Sequence, residues 1–323
     1  MPEYEHADVH APKEEATATL VREAGPRSAA ELALALQRSA GNAATARLLS
    51  RTASPQARTS ATGQDDRALS WQRHSGHAFV RGAGEDATGV NADDVVQGAL
   101  GDCYFLSPVM AVARINPQRI RRLIRGPVDT LADGTRIFEV DLYEGHAIGS
   151  PSKRTQRVSD RFVSTAGGSS RYAQPGDVAA GGGEIWPLLL EKAWAGLQGG
   201  YDEAHFGLMK DGMTAVTGID TDWTSIAGED DDDIWSEISE CVRDGKPVTI
   251  QTKQEFTHEN LLEARDIEIN PIAKHAYNIA AVDPHWKSFD IVNPHGSNHL
   301  LGFPLVRLRR FFDYYVMSEQ SVR

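Results

Sequence analysis

The sequence lacks any long apolar run. None of its apolar stretches approaches the roughly 18 consecutive residues that a membrane-spanning helix needs, so we expect no membrane span. The first residues also lack a charged segment followed by an apolar core and a small-residue cleavage site. We therefore expect a protein that is cytoplasmic when made, and that is exported, if at all, without a cleavable signal peptide.

Cysteine and basic residues are also scarce. Only Cys103 and Cys241 are present, and acidic residues outnumber basic ones to give a net charge of −12. Proteins that bind nucleic acid broadly need a basic surface, so we expect no nucleic-acid partner. A structural disulfide would block any chemistry of Cys103, which indicates folding in a reducing compartment.

The segment Gln97–Leu106 places one of these cysteines where a glycine-containing loop runs into an apolar helix. The unpaired N–H groups and positive dipole at a helix N-terminus favour thiolate over thiol, and the thiolate is the nucleophile. Gln97 could direct its side-chain amide toward a developing oxyanion. The pattern indicates a cysteine hydrolase; the alternative is that Cys103 is a small buried core residue.

A base and its orienting group follow near the end of the chain. His275 begins one short apolar strand, and Asn293 ends the next, after a turn around Asp283-Pro284-His285. Antiparallel pairing would bring those two ends together, so that Asn293 could hold the His275 ring in one tautomer. Cysteine, then histidine, then asparagine is the chain order of papain-like peptidases.

Blocks in the same order resemble the catalytic core of calpains over roughly residues 70 to 320. The blocks are Gln97–Leu106, Glu184–Ala195, Gly199–Tyr201 with Thr217–Gly218, Lys274–Tyr277, Asn293–Gly296 and Arg307–Val316. The resemblance implies Cys103 as nucleophile, His275 as general base and then acid, and Asn293 as orienter of the imidazole. It implies Gln97 as side-chain donor of the oxyanion hole, beside the backbone N–H of Cys103. The neighbouring glycines would let a substrate backbone approach closely.

The same resemblance implies an α+β, papain-like fold of two lobes, and the composition of residues 1–66 predicts a flexible tail before it. We predict a tail over residues 1–66, a helical lobe carrying Cys103 over 67–206, and a sheet lobe carrying His275 and Asn293 over 207–323. Helices are predicted over 102–124, 184–197 and 233–243. Strands are predicted over 135–143, 154–163, 247–252, 275–282 and 288–292. The acidic run 229–233 is interpreted as a solvated helix cap rather than a calcium loop.

Three departures from the calpain pattern stand out. Tyr104 and His295 each occupy a position where tryptophan is usual, and His295 could itself titrate beside the catalytic pair. The acidic calcium loop expected after Asn293 is missing. Asp94 matches a calcium-associated position, but calcium needs six to eight oxygens. No cofactor or metal is therefore expected to be required, with calcium left as an alternative.

The tail carries a segment, Leu36–Leu49, that resembles an N-terminal segment of bacterial cargo proteins of extracellular contractile injection systems. That resemblance implies a bacterial effector toxin whose tail is a loading address. The alternatives are a short helical hairpin and a prosegment that docks over the cleft. The Ser/Thr/Gln-rich stretch from Thr52 to Gln64 is typical of a flexible linker.

The leading interpretation is a calpain-like cysteine endopeptidase that cleaves protein substrates. A catalytically impaired binding module is the second interpretation, since Tyr104 and His295 depart from the pattern. The third is another thiol acyl-transfer enzyme, such as a transglutaminase or deamidase, with the same three residues.

Overall fold

A computed structural model describes residues 70–80, 87–145, 150–176 and 183–323 of the chain. The predicted tail 1–66, with its cargo-like segment, lies outside the described residues. The described α-helices are α1 Cys103–Ile115, α2 Pro117–Leu123, α3 Trp186–Gln198, α4 Met209–Thr217, α5 Asp231–Asp244, α6 His258–Asp266 and α7 Leu308–Phe311.

The described strands form three antiparallel sheets. They are β1 Ser70–Arg73, β2 Ile124–Thr130, β3 Arg136–Glu144, β4 Ser152–Ser159, β5 Arg161–Ser164, β6 Thr221–Ser225, β7 Val248–Thr252, β8 Ala276–Asp283, β9 Ser288–Val292, β10 Leu300–Pro304 and β11 Phe312–Ser318. The largest sheet has the order β10-β9-β8-β7-β11-β6, and two smaller sheets have the orders β2-β3-β4 and β1-β5. The mixture of helices and sheets is α+β, as predicted.

The predicted helix 102–124 is two helices. Helix α1 ends at Asn116, whose side chain accepts a hydrogen bond from Arg119 N at 3.1 Å and so caps α2. Pro117 occupies the first turn of α2, where its missing N–H costs nothing. The prediction of one continuous helix was therefore wrong, because an Asn-Pro pair stops one helix and starts another.

The predicted strand 154–163 is also divided. Residues Ser152–Ser159 pair with β3 as expected, whereas Arg161–Ser164 leave that sheet and pair with β1. The break falls at Asp160, a fully buried carboxylate that accepts a hydrogen bond from Arg136 Nε at 2.6 Å. A buried charge that is already paired holds the chain at this corner.

The other predicted elements are confirmed to within one or two residues, namely α3, α5, β3, β7, β8 and β9. The acidic run at the start of α5 acts as a cap, since the side chain of Asp230 accepts from Asp232 N at 2.9 Å. Arg309 bonds to Asp231 at 2.6 Å, and Lys287 bonds to Asp232 at 2.7 Å. These contacts agree with the interpretation of the run as a helix cap.

Two hydrophobic clusters form the core. The first joins α1, α3, α4 and β3, and the second lies between the large sheet, α5 and the C-terminal segment. Helix α4 packs with α1 in the first cluster, although it follows residue 207, and the boundary between residues 206 and 207 stays a prediction. Among the described residues, no helix is both long and apolar enough to cross a membrane.

Candidate active site

Cys103 is the first residue of helix α1 and is 7% exposed. Its Sγ accepts a hydrogen bond from the backbone N of Ala276 at 3.4 Å. One turn further along the helix, Ser107 Oγ donates to the carbonyl oxygen of Ala276 at 2.8 Å. The first turn of α1 is therefore fastened to the start of β8, beside His275.

His275 and Asn293 meet as the strand pairing predicts. Strands β8 and β9 are antiparallel, and His275 Nε2 lies 2.9 Å from Asn293 Oδ1. The same Oδ1 accepts from His295 N at 2.9 Å. Because a backbone N–H can only donate, this atom is an oxygen, so Nε2 of His275 carries the hydrogen. The lone pair is then on Nδ1, the nitrogen that can take a proton.

The His275 ring is held on two further sides. The His295 ring stacks on it with centroids 4.8 Å apart and planes within 4° of parallel. Tyr277 presents its ring at 90° with the same centroid separation. The backbone N of His275 donates to Thr252 Oγ1 at 2.9 Å. These contacts leave the imidazole little freedom to rotate.

Burial sets the protonation states of the thiol and the imidazole. It raises the pKa of Cys103 to about 12, and the neighbouring Asp102 carboxylate adds to this increase. Burial also lowers the pKa of His275 to about 4, although the hydrogen bond to Asn293 opposes that change. Both groups therefore rest uncharged at neutral pH.

This result corrects the expectation that the helix N-terminus favours the thiolate. The helix dipole is worth at most about 2 kcal/mol, whereas removal of a charge from water costs several. Within the described residues, no hydrogen bond joins the Cys103 thiol to the His275 ring, and the thiol is bonded to Ala276 instead. Proton transfer to His275 therefore requires the two groups to adopt hydrogen-bonding geometry with each other.

Gln97 lies in the loop before the nucleophile helix, as predicted. Its backbone N donates to Pro294 O at 2.8 Å, which joins this loop to the segment that carries Asn293. Its Nε2 donates to Leu100 O at 2.7 Å and to Asp102 Oδ1 at 3.3 Å. Both amide hydrogens are thus used within the loop, so a role in an oxyanion hole requires the release of one bond.

The glycines of this loop do not open space for a substrate. A Cβ on Gly98 would lie 1.8 Å from the carbonyl oxygen of Tyr172, and one on Gly101 would lie 3.0 Å from the His205 ring. The predicted role of these glycines in substrate approach was wrong, because the chain itself fills the space. Glycine is required here for the close packing of two protein segments.

Several residues of this site carry no sequence signal of their own. His205 Nδ1 accepts from Gly101 N at 3.0 Å and so holds the loop before Cys103. Asp102 and Glu191 are buried carboxyl groups beneath the same loop. His205 contacts Gly101, and Glu191 contacts Asp102, across more than 80 positions of sequence. Periodicity and motif spacing give no information about contacts between residues so far apart in the chain.

Tyr104 points into the core rather than into the cleft. It is 4% exposed, donates from its hydroxyl to Ala204 O at 2.9 Å and accepts from Trp194 Nε1 at 3.0 Å. The Tyr104 hydroxyl is therefore held by Ala204 and Trp194 rather than by the Cys103 sulfur.

Asp94, the residue at the calcium-associated position, lies beside a second carboxyl group, that of Glu184. Asp94 and Glu184 are both buried and both accept from Trp186 Nε1 at 3.3 Å. Calcium takes six to eight oxygens from carboxylates, backbone carbonyls and water, so the need for calcium stays a prediction to be tested. In the part of the chain that the structure describes, no group of three or more His, Cys, Asp or Glu side chains is arranged to hold a metal ion.

We predict that alkylation of Cys103 by iodoacetamide accelerates with pH through the neutral range, by about tenfold per unit. A thiol whose pKa is raised to about 12 gains thiolate steadily as pH rises. The rate is measured by intact mass in Cys241→Ala, with Cys103→Ala in the same background as the control. A rate that is already constant below neutral pH would contradict this expectation and indicate a preformed thiolate.

Comparison with known proteins agrees with the residue pattern. The family profile described as "Calpain family cysteine protease" matches residues 51–309. Calpain-13 of Rattus norvegicus is 24% identical over 195 residues, which cover 60% of this chain and 27% of that protein. The calpain-2 catalytic subunit of Gallus gallus is 27% identical over 137 residues, or 42% and 18% of the two chains.

A plant protein, the calpain-type cysteine protease ADL1 of Oryza sativa subsp. japonica, is 30% identical over 129 residues, or 40% of this chain and 5% of that protein. The chain thus spans at most 27% of the length of these three relatives. Because the family profile covers well over half of the sequence, the chain belongs to the calpain family of cysteine proteases.

Proposed function

We propose that this protein is a cysteine endopeptidase that cleaves protein substrates through Cys103. The observation that carries the proposal is the arrangement of three groups at one place. The buried thiol of Cys103 contacts the residue after His275. Asn293 fixes the tautomer of His275 that leaves Nδ1 free to accept a proton.

In the proposed reaction, the Cys103 thiol transfers its proton to Nδ1 of His275 as the sulfur attacks the scissile carbonyl carbon. A sulfur–carbon bond forms, and the carbonyl electrons move to the oxygen. The imidazolium then gives its proton to the departing amine, and the peptide carbon–nitrogen bond breaks. Water, with His275 as base, hydrolyses the resulting thioester and restores the thiol.

The oxyanion would be stabilised by the backbone N–H of Cys103 and by Nε2 of Gln97. Of the two bonds that Nε2 makes, the 3.3 Å bond to Asp102 is longer than the 2.7 Å bond to Leu100 and so is weaker. We propose that this longer bond is exchanged for the substrate oxyanion. Loss of one such donor costs about 3–4 kcal/mol of transition-state stabilisation.

The direct test is covalent labelling by an epoxysuccinyl thiol-protease inhibitor, followed by intact mass, together with cleavage of an unfolded protein substrate. We expect wild type to be labelled once and to release new N-termini from the substrate. His275→Ala should lose both activities, because the thiol then has no base. Cys103→Ala is the labelling control, and Cys241→Ala should behave as wild type.

Other outcomes of this test have definite meanings. Labelling that survives in His275→Ala would contradict the proposed base. Modification of glutamine side chains without new N-termini would favour a transglutaminase or deamidase. Absence of labelling, also after removal of residues 1–66, would favour a binding module. Labelling only when calcium is added would contradict the proposal that no cofactor is required.

We predict that His295 sets part of the acid limit of this activity. Burial lowers the pKa of His295, while a hydrogen bond to the backbone of Gln97 opposes the change. The ring is therefore neutral near pH 7 and gains a positive charge only as the pH falls. That charge would face the imidazolium of His275 across a stack with centroids 4.8 Å apart.

His295→Trp keeps an aromatic face and an N–H but removes the charge. The positive charge of His295 lowers the pKa of His275, so its removal should raise that pKa and move the acid limb of kcat/KM to higher pH by about half a unit to one unit. The matched control is His285→Gln, which removes an exposed histidine from the β8–β9 turn. An acid limb that is unchanged in His295→Trp would show that His295 only shields the ring.

We further propose that the protein is a bacterial effector toxin delivered by a contractile injection system. The support is the resemblance of Leu36–Leu49 to a cargo segment. We expect a variant that lacks residues 1–66 to keep full peptidase activity in solution but to be absent from purified injection particles of the source cell. Equal loading of both forms would exclude the loading address, and activity that rises after the deletion would indicate an inhibitory prosegment.

A further inference from the structure

Asp102 is a helix-capping residue that does not cap its helix. It stands at the N-cap of α1 and is fully buried, yet its side chain makes no hydrogen bond to the first turn. In contrast, the N-cap side chains of α2, α5 and α6 all accept a backbone N–H. The carboxyl group of Asp102 is directed elsewhere, which indicates a different task.

Besides its own backbone N–H, two side chains interact with the Asp102 carboxyl group. Asp102 Oδ1 accepts from Gln97 Nε2 at 3.3 Å. The second partner is Glu191, in the middle of helix α3 and 2% exposed, whose carboxyl group is hydrogen-bonded to that of Asp102. Both oxygens of Glu191 also accept from the backbone N of Ala173, at 2.9 and 3.1 Å.

The contact between these two carboxyl groups requires a proton. Two carboxylates can only accept hydrogen bonds, so a bond between them exists only when one of them is protonated. Asp102 Oδ2 is buried and accepts no hydrogen bond of normal geometry from the described residues, so it is available to the proton of the Glu191 carboxyl group. Two adjacent charges could not both be maintained away from water.

No basic side chain of the described residues bonds to either carboxyl group. Four ionisable groups face the Asp102 and Glu191 carboxyl groups. They are Cys103 and Tyr104 on α1, Tyr172 between β5 and α3, and Tyr201 after α3. Arg171 is bonded to the phenol of Tyr172. Burial raises the pKa of Asp102 to about 7, and it raises the pKa of Glu191 well above its usual range.

We propose that Asp102 and Glu191 are a positioning pair that shares one proton beneath the nucleophile and thereby controls how readily Gln97 gives its amide N–H to the substrate oxyanion. With the proton in place, Asp102 is a weak acceptor and Gln97 is anchored but releasable. Without it, Asp102 is a full carboxylate that retains the Gln97 N–H and places a second negative charge beside Cys103. Activity should therefore fall on the alkaline side through kcat, with KM unchanged.

This proposal depends on the proposed peptidase function, and Asp102→Asn and Glu191→Gln test it. Each variant has nearly the same shape as wild type but leaves one titratable carboxyl group: Asp102→Asn cannot become a carboxylate, whereas Glu191→Gln leaves Asp102 as a carboxylate beside a neutral amide. We expect Asp102→Asn to move the alkaline limb of kcat up by at least about one pH unit. Glu191→Gln should instead lower kcat at pH 7 and remove that limb, because its Asp102 carboxylate retains the Gln97 N–H at every pH tested. Glu203→Gln, which removes an exposed carboxyl of the same region, is the matched control and should not move the limb.

A double-mutant cycle tests whether the carboxyl pair acts through Gln97. Removal of the Gln97 amide in Gln97→Ala should leave a slower enzyme on which Asp102→Asn no longer changes the alkaline limb. If Asp102→Asn still shifts the alkaline limb of kcat by the full amount in the Gln97→Ala background, the pair does not act through Gln97 and the proposal is overturned.

Infrared spectroscopy tests the shared proton independently of activity. At pH 7, wild type should show the carbonyl band of a buried protonated carboxyl group, and Glu191→Gln should lose it. Absence of the band in wild type would overturn the shared proton.

An alkaline limb of kcat that is unmoved in both Asp102→Asn and Glu191→Gln, with the band present in wild type, would overturn the positioning role. A wild type without peptidase activity would contradict the proposed function instead, and the band would still decide the shared proton.

Discussion

The contact between the first turn of α1 and the start of β8 is the constraint on which the rest of the site depends. Cys103 and Ser107 are four residues apart and therefore lie on one face of the helix, where they bond to the N–H and the carbonyl of the single residue Ala276. The bond from Gln97 N to Pro294 O makes a second connection of the same kind. Each connection joins a residue of the nucleophile segment to a neighbour of His275 or Asn293, so an error in packing becomes an error in catalytic geometry.

Burial of the site determines its electrostatics. Cys103, His275 and Asp102 are each less than 8% exposed, and for each of them burial favours the uncharged form. The thiolate and imidazolium that the proposed reaction needs must therefore form by transfer of a proton between side chains that are already buried in the site. This explains why the orientation of the His275 lone pair, set by the backbone N–H of His295 through Asn293, has direct consequences for the chemistry.

Local patterns were sufficient to predict much of the fold and the core of the site. Alternating apolar residues located β8 and β9, and their antiparallel pairing brought His275 to Asn293. The same patterns missed the break at Asn116, since apolar spacing continues across an Asn-Pro pair. They also missed Glu191, because its contact with Asp102 connects two helices that are far apart in sequence.

The thiolate expectation failed for a reason that extends beyond this chain. A helix N-terminus is a local feature that sequence reveals, whereas burial is a property of the whole fold. At Cys103 the two act in opposite directions, and burial is the stronger. Because the Asp102 carboxyl group lies next to the thiol, its charge adds to the effect of burial. The reactivity of Cys103 therefore depends less on the dipole of its helix than on burial and on the protonation state of neighbouring groups such as Asp102.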